Sequence, residues 1–524
     1  MPEPQPIPLD FDPGIQRDGT RFDTNRCLDA LWTRWRIGRP RSIRGFAART
    51  DRLNGIGRKI FPYYTGDQII LHVGTAVGIQ QIVLDGNANL ISVSDRTPQN
   101  FTPGINVGWT LDAVFDTTSN IVQLCAHAVS DLSVLSSDAR LPIFLGQIDA
   151  QTPLVTPSNP NPPTGVWAQP LLAGGIVVVQ PYLFGFDSNG GISWSAPNSP
   201  ETLGVTAGST GAGAARESAQ KIVAGIALRG GGVQSPAALF WSLSEVITAT
   251  FVGGGPIFAF NTLSTSTSIL SSDCVIEYDG LYFWAGVDRF MVFNGTVVEI
   301  PNSQNQDWFF DNMNWTFAAK SFAFKVPRYG EIWFCAPLFG NTEPSHAVIY
   351  NVRENYWYDT VLPNGGRSSG YHAQGFRNPF MCGVQNEGAG YMLWEHEVGA
   401  DQINLDGSAT MIRKYFETPF IGGPKNNPPV NEGLSVEQFE FDAVQTGDMS
   451  AYALLSANSR SAENPGIPVP IKAIPAIPQD QIPGMKQSSR LMRFHIESNT
   501  VGGSYESGRI LAHAQKAKDA RITQ

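Results

Sequence analysis

The chain has 524 residues, a net charge of −10, and 42% apolar, 11% aromatic and only 16% charged residues. That apolar content excludes a disordered chain, and the scarcity of charge argues against long solvent-facing helices. Gly (53) and Pro (37) together are about 17% of the chain, above ordinary usage, so many short strands and turns are expected, in two or three domains.

The start, MPEPQPIPLDFDPG, has neither a basic n-region nor an apolar h-region and does not read as a signal peptide. Residues 1–60 carry 12 Lys+Arg against 7 Asp+Glu, and the rest carry 24 against 39, so a basic segment precedes an acidic one. With little alternation and several turn signals, residues 1–60 read as an extended basic N-terminal arm. Its densest part is RWRIGRPRSIRGFAART, from Arg34 onward. Such a cluster suits a nucleic-acid arm, or arginines that meet acidic surfaces of neighbouring subunits.

Residues 61–415 repeat one pattern of apolar strand, Asp or Asn, turn residues and apolar strand. It occurs around Asp85, Asp187, Asn294 and Asn351, with weaker copies near Asp138 and Ser242 and a further start near Trp394. The spacing fits units of roughly fifty residues, the size of a propeller blade. The expected fold is therefore all-β: a β-propeller of about six or seven blades over 61–415, with a β-sandwich as the competing reading. Trp241, Trp284, Trp333, Trp357 and Trp394 are expected to fill the gaps between blades with one ring edge wet. The hairpin HAVIYNVRENYWYDT, His346 to Thr360, is one copy of this scaffold element.

Catalytic signals are weak. Five cysteines (Cys27, Cys125, Cys274, Cys335, Cys382) are widely spaced without a CxxC and read as buried thiols of a reducing compartment. The histidines (His72, His127, His346, His372, His396, His495, His513) form no close metal-ligand pair. No cofactor-binding, metal or catalytic residue is therefore expected. GRSSG places Ser368 in a GxSxG pattern but without a following helix, which favours a turn over a nucleophile elbow. GSTGAGAARES, from Gly208, lacks the GK[ST] ending of a phosphate loop. The longest apolar stretch, Leu171 to Val179, is broken by glycines and too short for a bilayer, so no membrane insertion is expected.

Beyond the Pro/Gly/Asn-rich linker Thr418 to Gly433, VEQFEFDAV, SAYALLSA and RLMRFHIES alternate as strands. They predict a smaller C-terminal β region over 416–524, ending in a helix or strand and a tail from Arg509.

Several stretches resemble known families. DSNGGISW, from Asp187, resembles the Asp-box turn of sialidase propellers, though Asn189 replaces its aspartate and FRNPF at Phe376 lies too late for that family's arginine motif. The Tyr-Asn and Trp pattern of residues 350–357 resembles kelch blades without their Gly-Gly pair. A broader resemblance runs from ESAQKIVAGIALRGGG at Glu217 through SSDCVIEYDGLYFWAGVDRFMVFNGTVVEIPN to IYNVRENYWYDT, with PGIQRDGTR and SRLMRFHIESNTVGGSYESGRIL near the ends. It is similar to tailed-bacteriophage virion proteins, and its layout looks like the β-propeller tail nozzle, or DNA-stabilisation protein, of short-tailed phages. That resemblance implies a non-enzymatic structural protein of the virion, made in the bacterial host cytoplasm. It implies a hexameric ring below the portal adaptor, in contact with tail fibres or spikes or a plug or needle protein, through which double-stranded DNA passes transiently. The alternative is a glycan-binding or sialidase-like propeller enzyme of the virion.

Overall fold

A computed structural model describes residues 4–22, 24–99, 101–129, 131–134, 136–157, 171–203, 211–229, 236–254, 257–421, 433–458, 460–474 and 482–516. The fold is all-β, with 55% strand and 3% helix. Among the described residues the only α-helix is Gln306–Asp311.

Seven sheets built on four-stranded antiparallel meanders follow one another along the chain, the seventh extended by a short strand parallel to Phe46–Leu53. Their first strands are Gly57–Thr65, Gly108–Asp116, Gly175–Val179, Ile222–Ala227, Val275–Tyr278, Phe322–Val326 and Arg367–Tyr371, so the expected unit of roughly fifty residues is present. The four turns that carried the repeat fall on four different sheets: Asp85 on the first, Asp187 on the third, Asn294 on the fifth and Asn351 on the sixth. Asp187 joins second and third strands, whereas the other three join third and fourth. An Asx turn needs only local geometry, so it marks either hairpin. In the Asn351 hairpin, His346–Asn351 pairs with Tyr356–Val361, and the Asn351 side chain accepts the Arg353 and Glu354 amides at 3.1 and 3.0 Å.

Aromatic rings fill the spaces between successive sheets. Trp241 of the fourth sheet meets Trp284 of the fifth edge-on, with centroids 5.3 Å apart, and Phe290 of the fifth lies 4.7 Å from Trp357 of the sixth. Trp109 of the second sheet lies over Gly74 of the first, where a Cβ would come within 2.5 Å of the indole. The expected wet ring edges do not exist. All five tryptophans named above are at most 2% exposed, and the Trp284, Trp333 and Trp357 indoles donate to Ser268 O, Glu331 and Pro301 O instead.

The ends of the chain correct the expected boundaries. Residues 1–60 are no free arm. Gln5–Pro8, Thr33–Arg36 and Arg39–Ser42 join Leu434–Thr446, Gly484–Ser489 and Ser504–Lys516 in one sheet. Asp29–Leu31 joins Lys414–Glu417, Leu491–Ser498 and Met449–Ser456 in a second. The two share a core of Phe416, Val436, Phe439, Phe494, Ile496 and Ala512, as facing sheets must to bury both inner surfaces. Phe46–Leu53 leaves that sandwich and becomes the fourth strand of the seventh sheet, beside Tyr391–His396. The boundary expected at 415 thus cuts a strand. These pairings span more than 300 residues, and local pattern carries no record of them. The linker at 422–432 and the tail beyond 516 lie outside the described residues, but the segment from Arg509 is strand through Lys516.

Half of the basic cluster, Arg34, Arg41 and Arg49, is spent inside the chain. Arg34, 1% exposed in its side chain, lies between Glu331 of the sixth sheet and Glu397 beyond the seventh, at 2.8 and 2.5 Å. Tyr358 Oη and Trp333 Nε1 donate to the same Glu331 carboxylate at 2.6 and 2.9 Å. Arg17 pairs with Asp29 and Asp359, Arg49 with Glu395 and Arg58 with Glu343. For each of these residues a carboxylate partner comes from a distant segment of the same chain.

Two outcomes follow for denaturant unfolding. Trp241→Ala should cost about 3–5 kcal/mol, against less than about 0.5 kcal/mol for the half-exposed Trp315→Ala. Arg34→Met should cost about 3–5 kcal/mol, because it strands two buried carboxylates, and Arg34→Lys should recover only part of that loss because it lacks the fork.

Candidate functional site

The first strands of all seven sheets line one cavity of about 240 Å³. Each presents a few side chains inward because alternate residues of a strand face one side. The first strand of the seventh sheet lies against that of the first, and the Ser368 and Ser369 hydroxyls fasten the two by donating to Gly57 O at 2.6 and 3.2 Å.

Charges in the cavity are largely matched. Lys59 on the first sheet reaches Asp273, just ahead of the fifth, at 2.5 Å, tying two non-consecutive sheets through the cavity. Lys325 on the sixth pairs with Glu277 on the fifth at 2.9 Å. Burial works against the Glu277 carboxylate, but the Gly280 amide and Lys325 outweigh it and hold its pKa below the usual value. Asp112 of the second sheet accepts the Val178 and Ala113 amides, both at 2.8 Å, and burial raises its pKa. Burial and the Lys325 charge lower the pKa of His372. These pairs hold sheets together across a small polar niche.

The motif residues are dispersed. Ser368 lies in the strand Arg367–Tyr371, buried, and is not at a strand-to-helix elbow. Asn189 caps its own turn by accepting the Gly191 amide at 3.0 Å, and Asp187 pairs with Arg140 at 2.7 Å. Phe376 packs on Phe380. Of the glycine-rich stretch from Gly208, residues 208–210 lie outside the described residues and Gly213–Arg216 is a strand. His72, His127 and His346 are driven down by burial to about 3, 4 and 4. Among the described residues no group of three His, Cys, Asp or Glu side chains is arranged to hold a metal ion. The five cysteines are free and buried.

One cluster had escaped notice. On the outer face of the C-terminal sandwich, His495 lies between Glu417 and Glu497 at 2.8 and 2.9 Å, with Tyr415 and Tyr452 stacked on its two faces, both at 4.6 Å. Arg413 pairs with Glu497, and Arg493 joins Glu417 to Glu463. Burial opposes charge on His495, but hydrogen bonds from its ring to the two glutamates prevail and raise its pKa. The i, i+2 spacing of Arg493, His495 and Glu497 could have revealed a polar strand face; their partners could not be read.

No protein-family model matches the chain, and no curated protein matches it.

The His495 cluster predicts a two-sided pH profile. A histidine whose folded pKa is raised stabilises fully below its unfolded value near 6.5, and that contribution is lost as pH rises through the folded value. Glu417 and Glu497, the latter lowered to about 2, act oppositely: their contribution is present above about 4.5 and lost as pH falls. Thermal melts should show greatest stability between these limits, and His495→Gln should flatten the alkaline side and also weaken the acid side, because His495 helps hold Glu417 and Glu497 low while Arg493 and Arg413 remain. An unchanged alkaline limb in that variant would remove His495 as its cause.

Proposed function

We propose that the seven sheets are the blades of a seven-bladed β-propeller, closed by Phe46–Leu53 in the last blade, and that the chain is a structural subunit of a bacteriophage tail. The observation that carries the architectural part is the convergence of seven successive first strands on one cavity, with an N-terminal strand completing the sheet that ends the series. A radial arrangement of this kind leaves only short edges open. The tail assignment rests on the sequence resemblance to short-tailed phage nozzle proteins. It is supported by the way the side chains are used, since motif serines, Asx turns and buried ion pairs serve the scaffold.

In this reading the protein is not an enzyme. It is made in the host cytoplasm and resides in the virion as a hexameric ring below the portal adaptor, with fibres, spikes or a plug as neighbours. The genome would pass along the ring axis between subunits, because a 240 Å³ cavity has the size of a small-molecule site. Six copies would form heterologous interfaces that close, and the excess of 39 Asp+Glu over 24 Lys+Arg beyond residue 60 would keep the bore from gripping phosphates.

A reconstruction of the virion should show a six-fold ring distal to the portal with few Lys or Arg side chains on its bore. A three-fold fibre position, or a bore lined with arginines, would overturn the assignment. Incubation with a panel of sialylated and neutral glycans should release no sugar. Turnover abolished by Lys325→Met or Tyr371→Phe would establish the glycan enzyme instead.

A further inference from the structure

Six arginines lie close together on one surface and form no ion pair among the described residues: Arg36, Arg39, Arg44, Arg328, Arg353 and Arg377. They are neighbours. Arg353 donates to Arg328 O and Pro327 O at 3.2 and 2.8 Å, and the Arg377 and Arg44 charges both act on Arg328. The hairpin carrying Arg36 and Arg39 touches the same turn, where Gly38 N donates to Glu354 at 3.4 Å. Two carboxylates face this surface, but Glu354 is occupied by Gly38 N and Tyr356 Oη, and Glu397 by Arg34. With 46 acids available against 36 bases, a cluster left unpaired gains no stability from its own repulsion.

The tip of that hairpin is also strained. Ile37 is 79% exposed and has φ +52°, followed by Gly38 at +73°. Two-residue turns of this type favour Asn-Gly, and a β-branched residue in the left-handed region is an outlier. Folding of the isolated chain gains nothing from an isoleucine here. Strain of this kind persists at sites of contact.

We propose that this surface docks a carboxylate-rich protein surface, with Ile37 entering an apolar recess and the six guanidinium groups pairing with the acidic rim. An apolar centre ringed by arginine is the anatomy of a protein interface, and the planar fork of arginine matches carboxylates in bidentate fashion. A phosphodiester backbone would use the arginines but has no use for an exposed isoleucine. The inference does not depend on the tail assignment.

The test uses the full chain and fluorescence anisotropy at low salt with three probes of equal charge: an alternating Glu/Leu peptide, a Glu/Ser peptide and a DNA duplex. The Glu/Leu peptide should bind tightest. Arg328→Glu with Arg377→Glu should weaken both peptides about tenfold. Ile37→Asn, which suits the turn, should raise the melting temperature and weaken the Glu/Leu peptide about threefold while leaving the Glu/Ser peptide unchanged. The proposal is overturned if neither peptide binds, if the duplex binds as tightly as the Glu/Leu peptide, or if the variants bind as wild type does. A gain in stability without a loss of binding in Ile37→Asn would remove Ile37 from the interface.

Discussion

The guanidinium of Arg34 is where the parts of this protein meet. It comes from a strand of the C-terminal sandwich, and its two carboxylates come from the sixth sheet and from the segment after the seventh. Burial alone would lower the pKa of Arg34, but Glu331 and Glu397 together reverse that and raise it. The cost falls on the acids: burial, reinforced by Glu397, raises Glu331 even with Arg34 opposing. A buried ion pair is weak grounds for claiming stability, but a misplaced partner here would leave a desolvated charge. Trp32, Trp35 and Tyr358 pack around this point. The sandwich therefore has one permitted seat against the seven sheets.

Local chemistry was legible in the sequence where it was self-contained. The turns at Asp85, Asp187, Asn294 and Asn351 are Asx or Asn-Gly geometries that need only their own neighbours, and the tryptophans announced spaces between sheets because no strand surface of this size leaves so many rings outside. What could not be read is everything settled by pairing at long range. Residues 1–60 lack clean alternation because their strands are short and several are covered on both faces, as the buried Thr33, Arg34 and Trp35 show. Absence of alternation looked like absence of structure.

The charge pattern misled in a related way. An excess of arginine near the N-terminus reads as a surface for something else, and for Arg17, Arg34, Arg49 and Arg58 that something is a carboxylate 285 or more residues onward. Only by subtracting those internal pairs does the remaining set around Ile37 become visible. Arg328, Arg353 and Arg377 belong to it although nothing in the sequence links them to the cluster. The histidines divide similarly: burial prevails at His72 and His127 and lowers them, whereas at His495 hydrogen bonds to two glutamates prevail over burial and raise it.

The strand Phe46–Leu53 has a consequence for biosynthesis. Its partner in the seventh sheet is Tyr391–His396, and the strands just before it wait for segments as late as Ser504–Lys516. A ribosome delivers roughly 5–20 residues each second, so Gln5–Pro8 and Phe46–Leu53 emerge early and lack their partner strands for most of the time the chain is being made. Neighbouring ribosomes on one message expose the same waiting strands side by side, and the late segments of one nascent chain can meet the early segments of another. Faithful folding thus depends on each chain finding its own beginning first.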